Sequence, residues 1–229
     1  MKLSVIIPCY NEERTIETIL NRVINNNYSN KEIIVIDDCS TDNSKNIIQK
    51  YKNNNLFKII FNDKNMGKGF CLREAINLAS GDICIIQDAD LEYDPAEHIR
   101  VIQPILDGKA DVVYGSRFTG KGISKLINLK QRFGNYLITS FCNLITNLNL
   151  TDVETCFKAI KTKKLKSIKL KENSFGIEPE ITIKLAKIKC NFHEVGINYH
   201  GRSFSEGKKI SWFDGILAMY CIVRYSLYD

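Results

Sequence analysis

The first half of the chain alternates short β-branched runs with helix-patterned stretches, the order expected of a parallel sheet covered by helices. The runs that predict strands are Leu3–Ile7, Glu32–Ile36, Phe57–Phe61, Ile83–Ile86 and Asp111–Tyr114. Helices are expected between them at about Glu13–Asn26, Asp42–Tyr51, Gly69–Ala79 and Ala96–Leu106, the second opening on the capping-type segment STDNS. The predicted fold class is therefore α/β, with a mostly parallel central sheet flanked by helices. In open sheets of this kind a ligand lies beyond the carboxyl ends of the strands. The segments PCYNEE, DDCSTD, NDKNMGKG, QDADLE and GSRFTGKG should then converge on one rim.

The second half carries weaker signals. Leu137, Phe141, Leu144 and Leu148 fall on one helical stripe, which predicts core packing, with a membrane face as the alternative. GIEPEITIKLAKI predicts a helix with Pro179 in its first turn, and FHEVGINYHG alternates like a strand. SWFDGILAMYCIVRYSLY predicts a final aromatic-rich helix, too short and too charged, with Asp214 and Arg224, to span a bilayer. Docking against the sheet is the expectation for it, and lying on a bilayer the alternative. Between Lys158 and Lys171 there are seven lysines and no acid, which reads as a solvated face.

Composition narrows the partners. With 229 residues, 44% of them hydrophobic and 25% charged, the chain suits one globular domain and not a disordered one. A net charge of +6 suits a phosphate-bearing ligand or an anionic membrane surface and is too small to argue for nucleic acid. The eight cysteines form no CxxC pair and no zinc-type spacing, so they read as reduced thiols in a cytoplasmic protein. The apolar core of MKLSVIIPCYNEE is too short for a signal peptide.

The sharpest chemical signal is CIIQDADLEYDP. Alternation along a strand would turn Asp88 and Asp90 to the same side if the extended backbone persists past Ile86. The competing reading is a polar turn ahead of Asp94-Pro95. Placement at a strand end, beside four other polar strand ends, favours a cation site. Mg2+ or Mn2+ commonly takes one or two carboxylates, waters and the oxygens of a substrate diphosphate, and would then neutralise charge on a departing diphosphate. Asp38 can accept hydrogen bonds from a ribose or base, whereas Ser40 and Asp42 read as helix caps. A P-loop is excluded because GSRFTGKG ends on Gly122 where a Ser or Thr is required. A nicotinamide site is excluded because no GxGxxG follows the first strand.

Taken together, SVIIPCYNEE, VIDDCSTDNS, NMGKG, QDADLEYDP, DVVYGSR, TDVETCFK and GRSFSEGKKISWFDG resemble the inverting family-two nucleotide-sugar glycosyltransferases of GT-A fold. Within these the chain is most similar to the branch of dolichyl- and polyprenyl-phosphate mannose or glucose synthases, over Leu3 to about Gly215. The resemblance implies a single domain over 1–229, with a nucleotide-sugar-binding half over 1–120 and an acceptor half over 121–229. It implies that Pro8, Tyr10, Glu12, Ile36 and Asp38 hold base and ribose. Asp88, Ala89 and Asp90 form the DxD segment, with the metal on the two aspartates and Gln87 as a further candidate ligand. Arg117 and Arg132 are implied as phosphate contacts, and Arg202 and Lys208 as a basic loop over the diphosphate, although surface charge is an equal reading of Arg132. Cys39 and Asn43 depart from the family pattern, standing where glycines are common.

The resemblance leaves two acceptors open. A polyprenyl phosphate brings its own oxyanion, so alignment by Arg117, Arg132 and the metal suffices. A hydroxyl on a glycan or glycolipid precursor needs a base, for which Asp152 and Glu154 are the candidates, with helix capping as their other reading. The expected donor is a UDP- or GDP-hexose. Many family members carry C-terminal membrane helices, so a chain ending at Asp229 is expected to reach a lipid peripherally, to recruit a membrane-protein partner, or to use a soluble acceptor. A non-catalytic nucleotide-sugar-binding protein is the remote alternative, disfavoured by intact Asp88, Asp90 and Arg117.

Overall fold

A computed structural model describes residues 1–119, 129–202 and 212–228. The strands are β1 (Leu3–Cys9), β2 (Lys31–Asp37), β3 (Phe57–Phe61), β4 (Ile83–Ile86), β5 (Val112–Ser116), β6 (Lys158–Lys161) and β7 (Phe192–Gly196), and they form one sheet ordered β3-β2-β1-β4-β6-β5-β7. β3, β2, β1 and β4 run parallel, as do β5 and β7, while β6 is antiparallel to both β4 and β5. Burial on both faces explains the unbroken aliphatic runs: Ile33 to Ile36 and Ile83 to Ile86 are all buried. β1 extends beyond expectation through Pro8 to Cys9, and Pro8 falls past the last β1–β4 pair, Ile6 with Ile86, where a missing N–H costs no ladder bond.

Three of the four helices of the first half start two or three residues later than the pattern predicts, and the third starts one residue earlier. They are α1 (Ile16–Asn25), α2 (Ser44–Gln49), α3 (Lys68–Leu78) and α4 (His98–Leu106), the last preceded by a 3-10 turn at Pro95–Glu97. Side-chain turns occupy the difference: the Asp42 carboxylate accepts the Ser44 N–H at 2.9 Å, and Asp94 accepts that of Ala96 at 3.0 Å.

Three expectations for the second half are corrected. The lysine run is not a solvated face throughout, because it opens with β6 and Lys158 is fully buried there. Its remainder forms α6 (Thr162–Ser167). In α5 (Leu129–Thr146) the buried side is Asn135, Ile138, Thr139 and Cys142, while Leu137 and Leu144 of the predicted core stripe are exposed. A helix with two apolar faces leaves periodicity unable to say which of them meets the core. Finally, α8 (Trp212–Leu227) packs on α7 (Ile177–Lys187) and α5, one layer away from the sheet. Pro179 lies in the first turn of α7, as its sequence predicts.

One buried carboxylate ties the amino ends of the central strands together. Glu32 of β2 accepts from Ser4 Oγ at 2.6 Å, Ser80 N at 2.6 Å and Ser80 Oγ at 2.8 Å, and it pairs with Lys58 at 3.0 Å and Lys2 at 3.1 Å. Burial alone would raise its pKa, but the Ser4 and Ser80 donors and Lys58 outweigh burial and hold it well below the usual carboxylate range. Glu32→Gln is expected to lower stability at pH 7 by about 1–3 kcal/mol. A depressed folded-state pKa contributes stability above the unfolded value, near about 4.3, that fades as pH falls. Chemical denaturation should therefore show the gap between wild type and variant narrowing from about pH 5 to about pH 3, and a constant gap would contradict this account of Glu32.

Candidate active site

The carboxyl ends of β1, β2 and β4 open into a cleft of about 370 Å³. Its walls include Pro8, Tyr10 and Glu12 after β1, Asp38 after β2, and Asp88, Ala89 and Asp90 after β4. The far side is closed by Gly67 and Lys68 at the start of α3, by Ser174 and Phe175 ahead of α7, and by Arg202 beyond β7. The structure thus gathers eight of the residues singled out in the sequence: Pro8, Tyr10, Glu12, Asp38, Asp88, Ala89, Asp90 and Arg202.

Each DxD carboxylate is met by a cation from a distant part of the chain. Asp88 Oδ1 lies 2.9 Å from Lys68 Nζ, and Asp90 Oδ2 lies 2.6 Å from Arg202 Nη2. Burial works against ionised Asp88, but the Lys68 charge overcomes it and lowers the Asp88 pKa. Asp90 is pushed up to about 7, first by burial and then by the neighbouring charges of Asp88 and Glu92, with Arg202 opposing. A site where carboxylates crowd one another in this way is short of positive charge, and two such groups facing a cleft fit a Mg2+ or Mn2+ that takes its remaining ligands from water and a diphosphate. Among the described residues no group of three or more His, Cys, Asp or Glu side chains is placed to hold a metal ion, so most ligands would have to come from water and the diphosphate. Arg202 also pairs with Glu12 at 3.0 Å and gives its backbone N–H to Glu92 at 2.8 Å, so it bridges the β1 and β4 sides of the cleft.

Asp38 is spoken for structurally on both oxygens. Oδ1 accepts from Asn62 Nδ2 at 2.8 Å and Met66 N at 2.9 Å, and Oδ2 from Gly67 N at 2.7 Å. It therefore fixes the loop that delivers Lys68, and it also lines the cleft. Gly67 takes φ +93°, and a Cβ there would stand 2.3 Å from Asn173 O, so only glycine fits this approach of two backbones.

Other candidates lie away from the cleft. Ile36 is buried within β2, between Pro8 and Ile60. Gln87 is buried and donates to the carbonyls of Asp88 and Tyr93, while its Oε1 meets His98 Nε2 at 2.8 Å. Burial pushes His98 down to about 3, so the neutral ring donates from Nε2 and accepts from Asn26 at Nδ1. Gln87 therefore spends its amide on internal hydrogen bonds and is not among the residues lining the cleft.

Arg117 and Asp152 form a bidentate pair beyond β5, with Nε to Oδ2 and Nη2 to Oδ1 both at 2.7 Å. Arg117 also stacks on Phe118, 5.7 Å from the ring, and exposed Arg132 of α5 stacks on the same ring at 5.9 Å. Glu154 is pushed up to about 7 by burial, with Glu178 adding to the effect, and its buried Oε1 has no hydrogen-bond partner among the described residues. Neither Asp152 nor Glu154 lines the cleft. Lys208 lies outside the described residues.

Sequence reasoning gives no role to Lys68, Glu92 or Glu178. Glu178, in the first turn of α7, meets Lys68 Nζ at 3.1 Å through Oε1 and buried Lys158 through Oε2. NMGKG marks Lys68 as a strand-end residue, but nothing local marks Glu178, whose partners lie on α3 and β6.

Comparison with known proteins agrees with this geometry. Residues 4–169 match the family model for glycosyl transferase family 2. The chain is 30% identical to the UDP-N-acetylglucosamine–dolichyl-phosphate N-acetylglucosaminyltransferase of Methanococcus voltae, over 90% of this chain and 89% of that protein. It is 29% identical to the dolichol-phosphate mannosyltransferase of Pyrococcus furiosus over 98% of this chain, which spans 64% of that relative's length. Among solved structures, glucosyl-3-phosphoglycerate synthase from Mycobacterium tuberculosis, in complex with Mn2+, UDP and phosphoglyceric acid, superposes with a TM-score of 0.73. That match has 18% identity and covers all of this chain and 79% of that one, a likeness of fold. With the strand-end cleft, the paired aspartates and the matched family model in agreement, the chain belongs to glycosyltransferase family 2 and has the GT-A fold.

Proposed function

We propose that the protein transfers a sugar from a nucleotide-sugar donor, UDP- or GDP-linked and bound with Mg2+ or Mn2+, to the phosphate of a polyprenyl lipid. The observation that carries the acceptor is an apolar face that starts beside the Arg117–Phe118–Arg132 stack. On α5 Phe133, Tyr136 and Leu137 are exposed immediately after Arg132, Phe133 by 63% and Tyr136 by 65%. On α8 Phe213, Ile216, Tyr220 and Val223 form a second exposed stripe, with Phe213 also 63% accessible. The two helices pack together near Gly215 and Ile138. Guanidinium groups beside a face of exposed aromatics match a lipid whose anionic head is followed by hydrocarbon. No described helix is long and apolar enough to cross a membrane, so this face would meet the bilayer from one side.

A phosphate acceptor also suits the carboxylates. Its oxygen attacks the anomeric carbon while the bond to the donor diphosphate breaks on the opposite face, with inversion and without removal of a proton. No general base is then needed, in keeping with Asp152 locked on Arg117 and Glu154 outside the cleft. Arg117 and Arg132 would position the incoming phosphate, and Arg202 the diphosphate that leaves. Asp88 and Asp90 would hold the divalent ion, which supplies neutralisation of the leaving diphosphate. The relatives' named sugars differ, so the donor panel must include GDP-mannose, UDP-glucose and UDP-N-acetylglucosamine.

With polyprenyl phosphate and Mn2+ present, one of these labelled donors should yield an organic-extractable product, and Asp90→Ala should reduce that transfer by about 100-fold or more. Metal-dependent donor hydrolysis without a lipid product would instead point to a hydroxyl acceptor.

The apolar face makes a separate claim. Phe133→Ser combined with Phe213→Ser removes two exposed rings, each worth about 1–2 kcal/mol on partial burial in a bilayer interface. The double variant should bind anionic vesicles about ten-fold or more weakly and lose transfer to lipid, yet keep its donor affinity. Equal vesicle binding by wild type and variant would remove this face from the account.

A further inference from the structure

Lys68 occupies an unusual place for a cation in a site built to take another one. Its ammonium lies 2.9 Å from Asp88 and 3.1 Å from Glu178, and its side chain is largely buried while still lining the cleft. The backbone beneath it cannot retreat. Gly67 N–H is held by Asp38 at 2.7 Å and Gly69 N–H by Asn173 O at 2.7 Å, and a Cβ on Gly69 would meet Glu172 O at 2.3 Å. Glu178, for its part, is shared with buried Lys158. Only the flexible lysine stem can move, and the open direction is the cleft.

We infer that Lys68 is a positioning residue that makes metal binding depend on the donor: its ammonium holds Asp88 until a nucleoside diphosphate offers it another anion, so the divalent ion binds well only together with the nucleotide. This inference rests on the metal-dependent nucleotide-sugar reading. The charge balance supports it. Around the cleft, among the described residues, the ionisable groups joined by these ion pairs are Glu12, Asp88, Asp90, Glu92 and Glu178 against Lys68, Arg202 and Lys158. Carboxyl groups outnumber cations in this set, five to three, a balance that suits the entry of a divalent ion. That ion, entering without a diphosphate, must take Asp88 from an ammonium already in contact and leave the ammonium facing the new cation. Like charges at such range in a poorly hydrated site oppose one another strongly. A diphosphate removes the conflict, because its oxygens accept from Lys68 while the ion takes Asp88. Binding of ion and nucleotide becomes mutually favourable, and the coupling is reciprocal.

The test is Mn2+ titration of the whole protein by calorimetry, alone and with saturating UDP or GDP, for wild type, Lys68→Met and Lys68→Arg. In wild type, Mn2+ should bind weakly alone and at least ten-fold more tightly with one of the nucleotides. Lys68→Met should bind Mn2+ alone at least ten-fold more tightly than wild type, and the enhancement by nucleotide should shrink accordingly. Lys68→Arg, which keeps the charge, should stay weak without nucleotide. A merely structural role would give the opposite sign, since a loosened Asp88 binds metal less well. Should Lys68→Met not fold, Lys68→Gln reads the same sign. Unchanged or weaker Mn2+ binding by the folded neutral variant, with wild-type coupling present, overturns the role of Lys68 alone. Failure of wild type to bind Mn2+ with either nucleotide overturns both this inference and the metal-dependent reading. Metal coupling that depends on Lys68 without any lipid product supports the inference and removes only the lipid acceptor.

Discussion

A fully buried lysine in the middle of the sheet determines how the two halves of the chain meet. Lys158 stands on β6, the strand inserted between β4 and β5, and its ammonium reaches Glu178 of α7 and the carbonyl of Thr155, 4.8 Å from the Tyr114 ring. Glu178 passes the interaction to Lys68 of α3, and Lys68 to Asp88 after β4. The alternating chain of charges spans four elements and ends on the carboxylate that faces the cleft. Desolvating these ions costs several kcal/mol each, so the row is weak evidence for stability. Its effect is on arrangement, because removing any member strands a buried neighbour. Shifting β6 by one residue would turn Lys158 to the other face of the sheet and leave Glu178 with Lys68 alone. Core packing and cleft geometry are therefore specified by the same contacts.

The cleft was legible because local rules write it. Parallel strands show as uninterrupted aliphatic runs, and the polar segment after each run falls on one rim. PCYN, DD and DAD could be located by that rule, and Asp38, Asp88 and Asp90 do stand together. What local rules do not write is the pairing between distant segments. Lys68 and Glu178 are separated by more than a hundred residues, and neither has an unusual neighbourhood in sequence. The lysine run misled for the same reason: composition averages over Lys158 and its solvent-facing successors, although one is buried and paired. In α5, two apolar stripes share one helix, and only the tertiary partner tells that Ile138 and Cys142 face the core while Phe133 and Leu137 do not.

Two tyrosines connect Glu92 of the cleft with the Arg117 cluster. Tyr93 and Tyr199 pair edge to face at 5.1 Å and are joined by an isolated bridge. Tyr199 gives its hydroxyl to Glu92 at 2.8 Å, the carboxylate that also holds the Arg202 backbone, and its ring lies 5.4 Å from the Arg117 guanidinium. The Tyr93 hydroxyl oxygen accepts the Cys156 N–H at 3.2 Å. This aromatic pair thus reaches Arg202 through Glu92 on one side and meets Arg117 on the other.

Under the proposed phosphate acceptor, that construction would bear on rate more than on affinity. For a phosphate acceptor the nucleophile is ionised before it arrives, so what the protein adds is the distance and angle between acceptor oxygen and anomeric carbon. Well-held geometry of this kind is worth about 7–11 kcal/mol in favourable intramolecular cases, and small displacements forfeit much of it. Asp152, unneeded as a base under this reading, has a positional task instead. It takes two hydrogen bonds from the Arg117 side chain and a third from the Arg117 backbone N–H at 3.1 Å, which fixes the guanidinium plane against Tyr199. The Asp152 N–H is in turn held by Glu194 of β7. The arginine is thereby tied to the sheet whose strand ends also carry Asp88 and Asp90, and a side chain with ordinarily wide freedom is given one orientation. Buried pairing of this strength would be wasted on a residue that only had to be positive. It is the arrangement expected of one that has to be positive in a particular place.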